Sequence, residues 1–370
     1  MQRRIPEPVD VRHVDFNGAR LLYFGGCDYL RFGHLPEVRN AAIESLKNEP
    51  SLSIGASRAT TGDHQVYREL ESQLAILTDS EDALLTGAGY LANLCLIPFL
   101  QQSADLLLMD DHCHPSLNDL AHFSGVPTER YRHCDPNSAS KLLRKRQKGE
   151  RCFLLSETMF GLDGSVMPLL EFHEALPVDV CFLLDEAHGL GILNSDFYKT
   201  IRNSRVLVKS LSLAKTIGCH GGAIAGPSDL VYSIEQNASI WAGHTPIPIH
   251  IARAALKSIE HWSIHPESRI ELSLNIKRLS NALSDLRLLS GDPMMTPVCS
   301  FSIGTFVNQA ESILQESGIF PSIIRYPGSK TQQLLRIAIS SKHTNEDIQI
   351  LKSALSKLKK ELQIESFKFR

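Results

Sequence analysis

Hydrophobic and polar positions follow a repeating order from about residue 80 onward: a short apolar run, a turn of small residues, then a helical stretch. The apolar runs cover residues 83–86, 106–111, 152–157 and 181–185, and each ends in polar residues. Runs this short and apolar are typical of buried parallel strands. The pattern predicts an α/β domain with a mostly parallel sheet covered on both faces, whose functional residues follow the strand ends.

The two ends of the chain follow other patterns. Residues 11–24 alternate on both sides of Asn17-Gly18, which predicts a β-hairpin, and a helix is predicted over about 35–48. From about residue 265 the order becomes helix, strand, helix, strand pair and helix, which indicates a smaller α+β unit. We therefore predict an N-terminal hairpin and helix segment (1–50), a large α/β domain (51–264) and a small C-terminal α+β domain (265–370).

Composition excludes some classes of protein. The chain has 370 residues, is 43% hydrophobic and 21% charged, and carries a net charge of −3, which gives no general attraction to nucleic acid or anionic membranes. No window approaches the roughly 18 uninterrupted apolar residues of a membrane span, so we expect a cytoplasmic protein. The eight cysteines are scattered without a C-x-x-C pair, which predicts reduced, mostly buried packing residues.

Two short segments carry the residues with the clearest chemistry. The run 181–189 ends in Asp185 and His188, and Lys215 lies among small and apolar residues in the run 210–218. A lysine desolvated in such a setting loses its proton near neutral pH and acts as an amine nucleophile. Pyridoxal phosphate requires an amine for its Schiff base, a carboxylate for its ring nitrogen and a donor for its phenolic oxygen, and these segments supply all three.

Other interpretations of the same segments have less support. The sequence Asp185-Glu186-Ala187-His188 also occurs in helicases, but no G-x-x-x-x-G-K-[ST] loop precedes it, and residues 328–331 lack the glycine directly before the lysine. The run His112-Cys113-His114 suggests zinc, yet consecutive ligands cannot close a tetrahedral site without distant partners. We therefore expect neither nucleic acid nor metal.

The chain resembles the α-oxoamine synthases, pyridoxal-phosphate enzymes that condense a small amino acid with an acyl thioester. Their D-[DE]-A-H-G and T-x-[SG]-K segments correspond to residues 185–189 and 212–215. The resemblance implies a fold-type-I, aspartate aminotransferase-like transferase. It also implies that Asp185 pairs with the pyridine nitrogen, His188 reaches the phenolic oxygen, Lys215 carries the cofactor and Ser212 replaces the phosphate-binding threonine.

Further family segments imply more cofactor contacts. The D-x-x-x-H-x-S segment places His114 against the cofactor ring. The [SG]-G-[FY]-x-A-N segment at a strand-to-helix turn implies a phosphate cradle at Gly89 and Tyr90. In the Y-S-T-x-x-P-P segment Thr245 reaches the phosphate of the neighbouring subunit's cofactor, although it equally suits a helix N-cap before a first-turn proline.

Two arginines are candidates for substrate binding. Arg58 lies in a segment similar to the family's G-x-S-R, although a structural turn explains it equally well. Arg336 matches the R-L-R-I segment and is the natural anchor for an amino-acid carboxylate, since a guanidinium binds a carboxylate through two parallel hydrogen bonds. Arg3 and Arg4 stand where the family often has a basic cluster, and residues 324–327 match its I-R-x-P segment.

Besides Ser212, the sequence departs from the family pattern where Gly161 replaces a serine, Ser165 an aspartate and Leu334 an arginine. The replacements at Gly161 and Leu334 are compatible with a catalytically silent partner subunit. An aminotransferase or a lyase with the same fold is a further alternative. An intact Lys215 favours an active enzyme.

The resemblance implies a decarboxylative condensation in a homodimer with shared active sites. Arg336 holds the amino-acid carboxylate, Lys215 removes the α-proton and His114 helps to polarise the carbonyl of an acyl-CoA or acyl-carrier-protein thioester. The short chain and compact N-terminus favour the biotin-pathway member that joins L-alanine to a pimeloyl thioester. Glycine acyltransferases, including the 2-amino-3-oxobutyrate ligase, and serine palmitoyltransferase-like enzymes share these motifs.

Overall fold

Two compact units make up the protein in the computed structural model, which describes residues 5–144, 146–193, 197, 199, 205–324, 333–362 and 367–369. The small unit comprises residues 1–31, 161–165 and 265–370, and the large unit comprises residues 32–160 and 166–264. The division into three parts that the sequence predicts is not tested by this division into two units, and it stays a prediction.

The N-terminal part of the small unit is a three-stranded antiparallel sheet. Its strands are β1 (Glu7–Pro8), β2 (His13–Phe16) and β3 (Ala19–Leu22), in that order. Asn17 and Gly18 join β2 to β3 with φ values of 56° and 80°. Both angles lie in the left-handed region that a two-residue type I′ turn requires, so the predicted hairpin is confirmed.

A seven-stranded mixed sheet forms the centre of the large unit. Its strands are β4 (Asp82–Thr86), β5 (Leu106–Asp110), β6 (Thr128–Tyr131), β7 (Cys152–Glu157), β8 (Cys181–Asp185), β9 (Val206–Ser212) and β10 (Gly222–Gly226). The spatial order is β4-β10-β9-β8-β7-β5-β6. Strand β10 runs antiparallel to both of its neighbours, and the other pairs are parallel. The mostly parallel sheet predicted from the sequence is confirmed.

Helices connect and cover these strands. They are α1 (Pro36–Asn48), α2 (Gln65–Leu77), α3 (Gly89–Leu94), α4 (Ile97–Ser103), α5 (Pro115–Ser124), α6 (Pro136–Leu143), α7 (Leu169–Ala175), α8 (Ser228–Asn237), α9 (Ser239–Gly243) and α10 (Ile249–Ile264), with a short 3-10 helix at Phe32–His34. Proline at the start of α1, α5 and α6 suits a first turn, where its missing N–H costs no hydrogen bond.

Alternate residues of the central strands enter two different hydrophobic cores. Leu107 and Leu155 pack with the α3, α4, α5 and α8 side of the sheet, while Leu108 and Leu154 pack with the α6 and α7 side. Because side chains of successive strand residues point to opposite faces, a strand buried on both faces must be apolar throughout. This accounts for the continuous apolar runs in the sequence.

The C-terminal part of the small unit contains helices α11 (Glu267–Asp285), α12 (Val307–Glu316) and α13 (Asn345–Leu362), and strands β11 (Leu289–Gly291), β12 (Val298–Ser302), β13 (Ile323–Ile324), β14 (Leu334–Ala338) and β15 (Phe367–Phe369). Strand β14 pairs antiparallel with both β12 and β13, and β11 pairs parallel with β15. The α+β character predicted for this part is therefore observed.

Throughout the described part of the chain, every helix is too short or too polar to span a lipid bilayer.

Candidate active site

Asp185 is the last residue of β8, and its carboxylate is buried with 6% of the residue exposed. Oδ1 accepts the backbone N–H of Ala187 at 2.8 Å, and Oδ2 accepts the side-chain amide of Asn93 at 2.7 Å. Burial raises the pKa of Asp185, although these two hydrogen bonds and the electrostatic interactions with His114 and Lys215 act in the opposite direction. A nearby positive charge would therefore be strongly stabilised here.

Asn93 connects Asp185, at the end of β8, to the first turn of α5. Its Nδ2 atom donates to Asp185 and also to Oγ of Ser116 at 2.9 Å, and the residue is 1% exposed. Its Oδ1 atom is buried and has no hydrogen-bond partner among the described residues. The sequence places Asn93 in a family segment but assigns it no role, because a helical asparagine gives no signal of the strand end that it contacts.

His114 caps the N-terminus of α5 beside this pair. Its Nδ1 atom accepts the backbone N–H of Ser116 at 3.2 Å and lies 2.8 Å from Oγ of the same residue. Because Nδ1 accepts a backbone N–H, the neutral ring carries its proton on Nε2. Burial lowers the pKa of His114, Lys215 lowers it further, and Asp185 opposes the change. The ring is therefore neutral and is a hydrogen-bond donor through Nε2.

Glu157, the last residue of β7, holds the loop that carries His114. Its Oε1 atom accepts the backbone N–H of His114 at 2.8 Å, and the residue is 5% exposed. Glu157 is the last residue of an apolar run in the sequence. Its position at a predicted strand end is the sequence feature that could have indicated a role in the site.

Lys215 follows β9 in a loop held by its own backbone. Leu213 donates its N–H to Gly221, Cys219 donates to Leu213, and Gly218 donates to the carbonyl of Lys215. Leu213 and Ile217 are buried, whereas Lys215 itself is half-buried. Its charge acts on both Asp185 and His114, so the structure brings these three predicted residues together.

Gly89 begins α3 where that helix meets the sheet. A Cβ atom at Gly89 would lie 2.9 Å from Cβ of Ser212 and 3.1 Å from the carbonyl oxygen of Leu211. Only glycine allows this approach. The N-cap residue, Ala88, provides no side-chain hydrogen bond to the first turn, so the N–H groups of that turn keep their capacity for an anion.

His244 and Tyr90 flank this turn. Nε2 of His244 accepts the backbone N–H of Gly87 at 2.9 Å, and Nδ1 of His244 lies 2.8 Å from the carbonyl oxygen of Trp241. The ring therefore fixes the turn in place. Tyr90 is 38% exposed, donates its hydroxyl to Asp119 and meets the ring of His114 edge to face at 6.1 Å. None of the sequence motifs assigns a role to His244.

His188 and Thr245 lie at different depths. His188 follows β8 and is buried with 8% exposed. Thr245 is exposed, and helix α10 begins four residues later at Ile249. The carbonyl of Pro248 accepts the N–H groups of Ile251 and Ala252 in the first turn. The interpretation of Thr245 as a helix N-cap is therefore wrong.

Arg58 is held in a buried ion-pair network. Its two terminal nitrogens donate to the carboxylate oxygens of Glu71 at 2.5 and 3.0 Å, and Nε donates to Asp63 at 2.8 Å. The guanidinium also lies over the rings of Tyr67 and Trp241. Arg58 is 5% exposed, so these contacts give it a structural task, and its role in substrate binding stays a prediction.

Arg336 belongs to the small unit and lies on β14 with 8% exposed. Nε donates to the carbonyl of Gly161 at 2.7 Å and Nη1 to that of Gly26 at 3.1 Å. Nη2 makes longer contacts, 3.7 Å to Sγ of Cys27 and 3.3 Å to the hydroxyl of Tyr29. Burial lowers the pKa of Arg336, but the neighbouring Tyr29 and Cys27 outweigh it and the pKa is raised.

The replacements at Gly161, Ser165 and Leu334 lie in the small unit. The carbonyl of Gly161 accepts from Arg336, so this position serves the arginine through its backbone. The hydroxyl and N–H of Ser165 both donate to Oδ1 of Asp163. Leu334 is half-buried on β14 opposite Ser302. These contacts describe the surroundings of each replaced residue, and none of them indicates a catalytic role.

Some predicted features lie outside the described residues. These are the basic pair Arg3 and Arg4, the part of the 324–327 segment from residue 325 onward, and the glycine-lysine segment 328–331.

Comparison with known proteins identifies the family. The sequence profile of the aminotransferase class I and II family matches residues 22–355. The chain belongs to this family. A protein of Nostoc punctiforme named "Putative 8-amino-7-oxononanoate synthase" is 32% identical to this chain over an alignment of 346 positions. The alignment covers 91% of this chain and 87% of that protein. A protein of the same name from Rippkaea orientalis is 29% identical over an alignment of 354 positions, which covers 93% of this chain and 91% of that protein. These matches confirm the resemblance to α-oxoamine synthases.

Solved structures confirm the fold class of this aminotransferase-family chain. Serine palmitoyltransferase of Sphingomonas wittichii matches with a TM-score of 0.88 at 21% identity, over 96% of this chain and 92% of that one. 8-Amino-7-oxononanoate synthase of Francisella tularensis matches with a TM-score of 0.77 at 22% identity, over 92% and 98%. At these identities the likeness shows the fold-type-I architecture alone.

Proposed function

We propose that the chain is a pyridoxal-phosphate-dependent acyltransferase that condenses L-alanine with a pimeloyl thioester, with loss of CO2, to give 8-amino-7-oxononanoate. The observation that carries this proposal is the match, at about 30% identity and along most of both chains, to relatives named for that activity. The cluster of Asp185, Asn93, His114 and Lys215 supports it, because these groups suit the cofactor that the reaction needs.

The residues at the sheet edge fit pyridoxal phosphate. Each carboxylate oxygen of Asp185 accepts one hydrogen bond and keeps acceptor capacity for a protonated ring nitrogen. The uncapped first turn at Gly89 and Tyr90 suits a phosphate, with Ser212 beside it. The remaining groups proposed to hold the cofactor are Lys215, His188, His114 and, from the neighbouring subunit, Thr245.

The bound cofactor supplies an electron sink for the charge that develops when a bond to the amino acid's α-carbon breaks. Lys215 would hold the cofactor, and its amine would remove the α-proton of the amino acid and later return it. Asp185 stabilises positive charge on the ring nitrogen, because a buried carboxylate gains more from a cation than a solvated one does. Asn93 keeps that carboxylate oriented.

His114 is proposed to donate a hydrogen bond to the thioester carbonyl. Its Nδ1 accepts from the backbone of Ser116, so the ring presents an Nε2–H donor without a positive charge. A donor aimed at an oxygen that becomes more negative stabilises the transition state more than the substrate. The family pattern also implies that this neutral ring would contact the cofactor.

Arg336 is proposed to hold the amino-acid carboxylate. Its bonds to the carbonyls of Gly161 and Gly26 fix the guanidinium, while its contacts with the Cys27 thiol and the Tyr29 hydroxyl are long and weak. A carboxylate can replace those weak contacts with a charge-assisted pair of hydrogen bonds. We also propose a cytoplasmic homodimer with shared sites, supported by the exposed position of Thr245.

A panel of half-reactions tests this function. Purified protein loaded with pyridoxal phosphate is given alanine, glycine or serine with pimeloyl, acetyl and palmitoyl thioesters, presented on coenzyme A or on acyl carrier protein. The proposal predicts equal amounts of free thiol and CO2 with alanine and a pimeloyl thioester. A keto acid with pyridoxamine phosphate and no thiol would show an aminotransferase. Cofactor binding without turnover of any pair would show a silent subunit.

A further inference from the structure

A second cluster of reactive side chains lies in the large unit at the ends of β5 and β6. Oδ1 of Asp110 is 2.8 Å from Nδ1 of His133, and Nε2 of the same ring is 3.6 Å from Sγ of Cys134. The carboxylate, imidazole and thiol therefore form a chain in that order. The condensation proposed above uses none of these three side chains.

The buried carboxylate of Asp110 orients the imidazole ring of His133. It is 1% exposed and also accepts the backbone N–H groups of His112 and Cys134, each at 2.8 Å. With its oxygens occupied in this way, the carboxylate holds the Nδ1–H of His133 in one direction. The lone pair of Nε2 then faces the sulfur, which is the tautomer that a base for a thiol requires.

The surroundings of Cys134 differ from those of other cysteines in the chain. Cys95, Cys152 and Cys299 are buried, and burial raises the pKa of each thiol to about 12. Cys134 is half-buried, and its backbone has a φ of 52°, a region that cysteine seldom adopts. A partly exposed thiol beside an oriented imidazole is the arrangement that favours a thiolate.

We propose that Cys134 is a nucleophilic thiol, with His133 as its base and Asp110 as the positioning carboxylate, and that it reacts with low-molecular-weight disulfides. The thiol proton passes to Nε2 of His133. The thiolate then attacks one sulfur of the disulfide, a new S–S bond to Cys134 forms, and the S–S bond of the reagent breaks. The departing thiolate takes the proton from the imidazolium, so the step needs no other reactant.

The geometry favours this proposal over a metal site. A carboxylate oxygen 2.8 Å from Nδ1 is at hydrogen-bond distance, and that carboxylate already accepts two backbone N–H groups. A zinc ion would have to displace these bonds to reach Asp110. Ionisable side chains around the cluster within the described part of the large unit include His112, whose ring stacks on His133 at 4.0 Å, Tyr131 and the buried thiol of Cys113.

The test measures labelling of each cysteine by a disulfide reagent, dithiobis-nitrobenzoate, in the full-length folded protein with a chelator present. Trypsin cleavage after Arg132 and Lys141 yields a peptide of residues 133–141 that contains Cys134 alone among the cysteines. The proposal predicts that Cys134 reacts first at pH 7, at least about tenfold faster than Cys27, Cys181 and Cys219. Slower reaction at Cys134 than at these three, which are also half-buried, would overturn it.

Variants show whether fast labelling of Cys134 depends on His133 as a base or only on the exposure of the thiol. His133→Gln should slow labelling of Cys134 at pH 7 by at least about tenfold, yet by less than about twofold at pH 10, where thiols ionise without help. Asp110→Asn should act in the same direction, and His122→Gln is the matched histidine control. Unchanged labelling of Cys134 in His133→Gln at pH 7, or equal slowing at both pH values, would exclude a base and overturn the proposal.

Discussion

The side-chain amide of Asn93 donates to Oδ2 of Asp185 at 2.7 Å, deep in the large unit and with 1% and 6% of the two residues exposed. Asn93→Ala removes that donor and leaves the carboxylate with one fewer partner. We expect the affinity for pyridoxal phosphate to fall by at least about tenfold, since a buried hydrogen bond to a charged group contributes about 1.5–3 kcal/mol. Equilibrium dialysis measures the loss.

The exposed Asn237 on α8, whose amide donates to the carbonyl of Ser233 in its own helix, provides the matched control for that variant. Asn237→Ala should leave cofactor affinity unchanged. Equal affinity in Asn93→Ala and the parent protein would show that Asp185 needs no support from Asn93.

Lys215 is the residue that should carry the cofactor. Its charge acts on Asp185 and His114, and small and apolar residues surround it in the sequence. Borohydride reduction of the loaded protein should attach the cofactor to Lys215, as peptide mapping would show, and Lys215→Ala should lose the visible absorption band after dialysis. Lys257→Ala, at an exposed lysine paired with Glu260, is the control. Attachment at another lysine would mean that the site is assigned wrongly.

Glu186 should make stability depend on pH. Burial, followed by the charge of Asp185, raises its pKa to about 7 despite the opposing charge of Lys209. Oε1 has no hydrogen-bond partner among the described residues. The folded protein therefore binds the proton more tightly than the unfolded chain, whose glutamate titrates near 4.5. This contribution to stability is complete below about pH 4.5 and is lost as the pH rises to about 7.

Comparison of Glu186→Gln with the parent protein isolates that contribution. The difference in unfolding free energy between the two should change by up to about 3 kcal/mol between pH 4.5 and 7, at about 1.4 kcal/mol per pH unit. Urea unfolding at several pH values measures it. The exposed Glu174 on α7 supplies the control, and Glu174→Gln should give a flat difference. A flat difference for Glu186→Gln as well would disprove a raised pKa.

Arg58 should matter more for stability than for catalysis. Its bidentate pair with Glu71 is buried, so Arg58→Ala leaves an unpaired buried carboxylate and should destabilise the protein by about 3–5 kcal/mol. Arg58→Ala combined with Glu71→Gln should recover part of the loss. Arg253→Ala, which removes an exposed pair with Glu69, should cost less than about 1 kcal/mol. A raised KM in Arg58→Ala without loss of stability would instead support substrate binding.

Sequence patterns predicted the parts of the molecule that depend on local chemistry. The run from Cys181 to Asp185 is apolar on both faces because the strand is buried on both faces, so its place in the sheet followed directly. Asn17-Gly18 specified a turn that only a few residues can adopt. The family motifs then supplied residues such as His114 that lie beside Asp185.

The remaining features depend on contacts between distant segments. Asn93, Glu157 and His244 support the site through hydrogen bonds to residues 92, 43 and 157 positions away, and no local pattern encodes such pairs. The N-cap interpretation of Thr245 failed because α10 begins after Pro248, although proline at residue 246 was equally compatible with a first turn.

Arg336 should separate amino-acid binding from cofactor binding. Arg336→Leu removes the proposed partner of the substrate carboxylate and should weaken binding of the amino acid by roughly 2–5 kcal/mol if that pair is buried. Cofactor affinity should be unchanged. Because the guanidinium also donates to the carbonyls of Gly161 and Gly26, this variant loses structural contacts as well.

Arg336→Lys distinguishes the two effects, since it keeps the charge but cannot make two parallel hydrogen bonds. We expect it to retain more thermal stability than Arg336→Leu while still raising KM for alanine by at least about tenfold, because a single ammonium replaces a fork of donors. Arg278→Leu, at a half-buried arginine of α11 that donates to Asn275, controls for loss of charge. Normal KM for alanine in both Arg336 variants would confine this arginine to holding Gly161 and Gly26 in place.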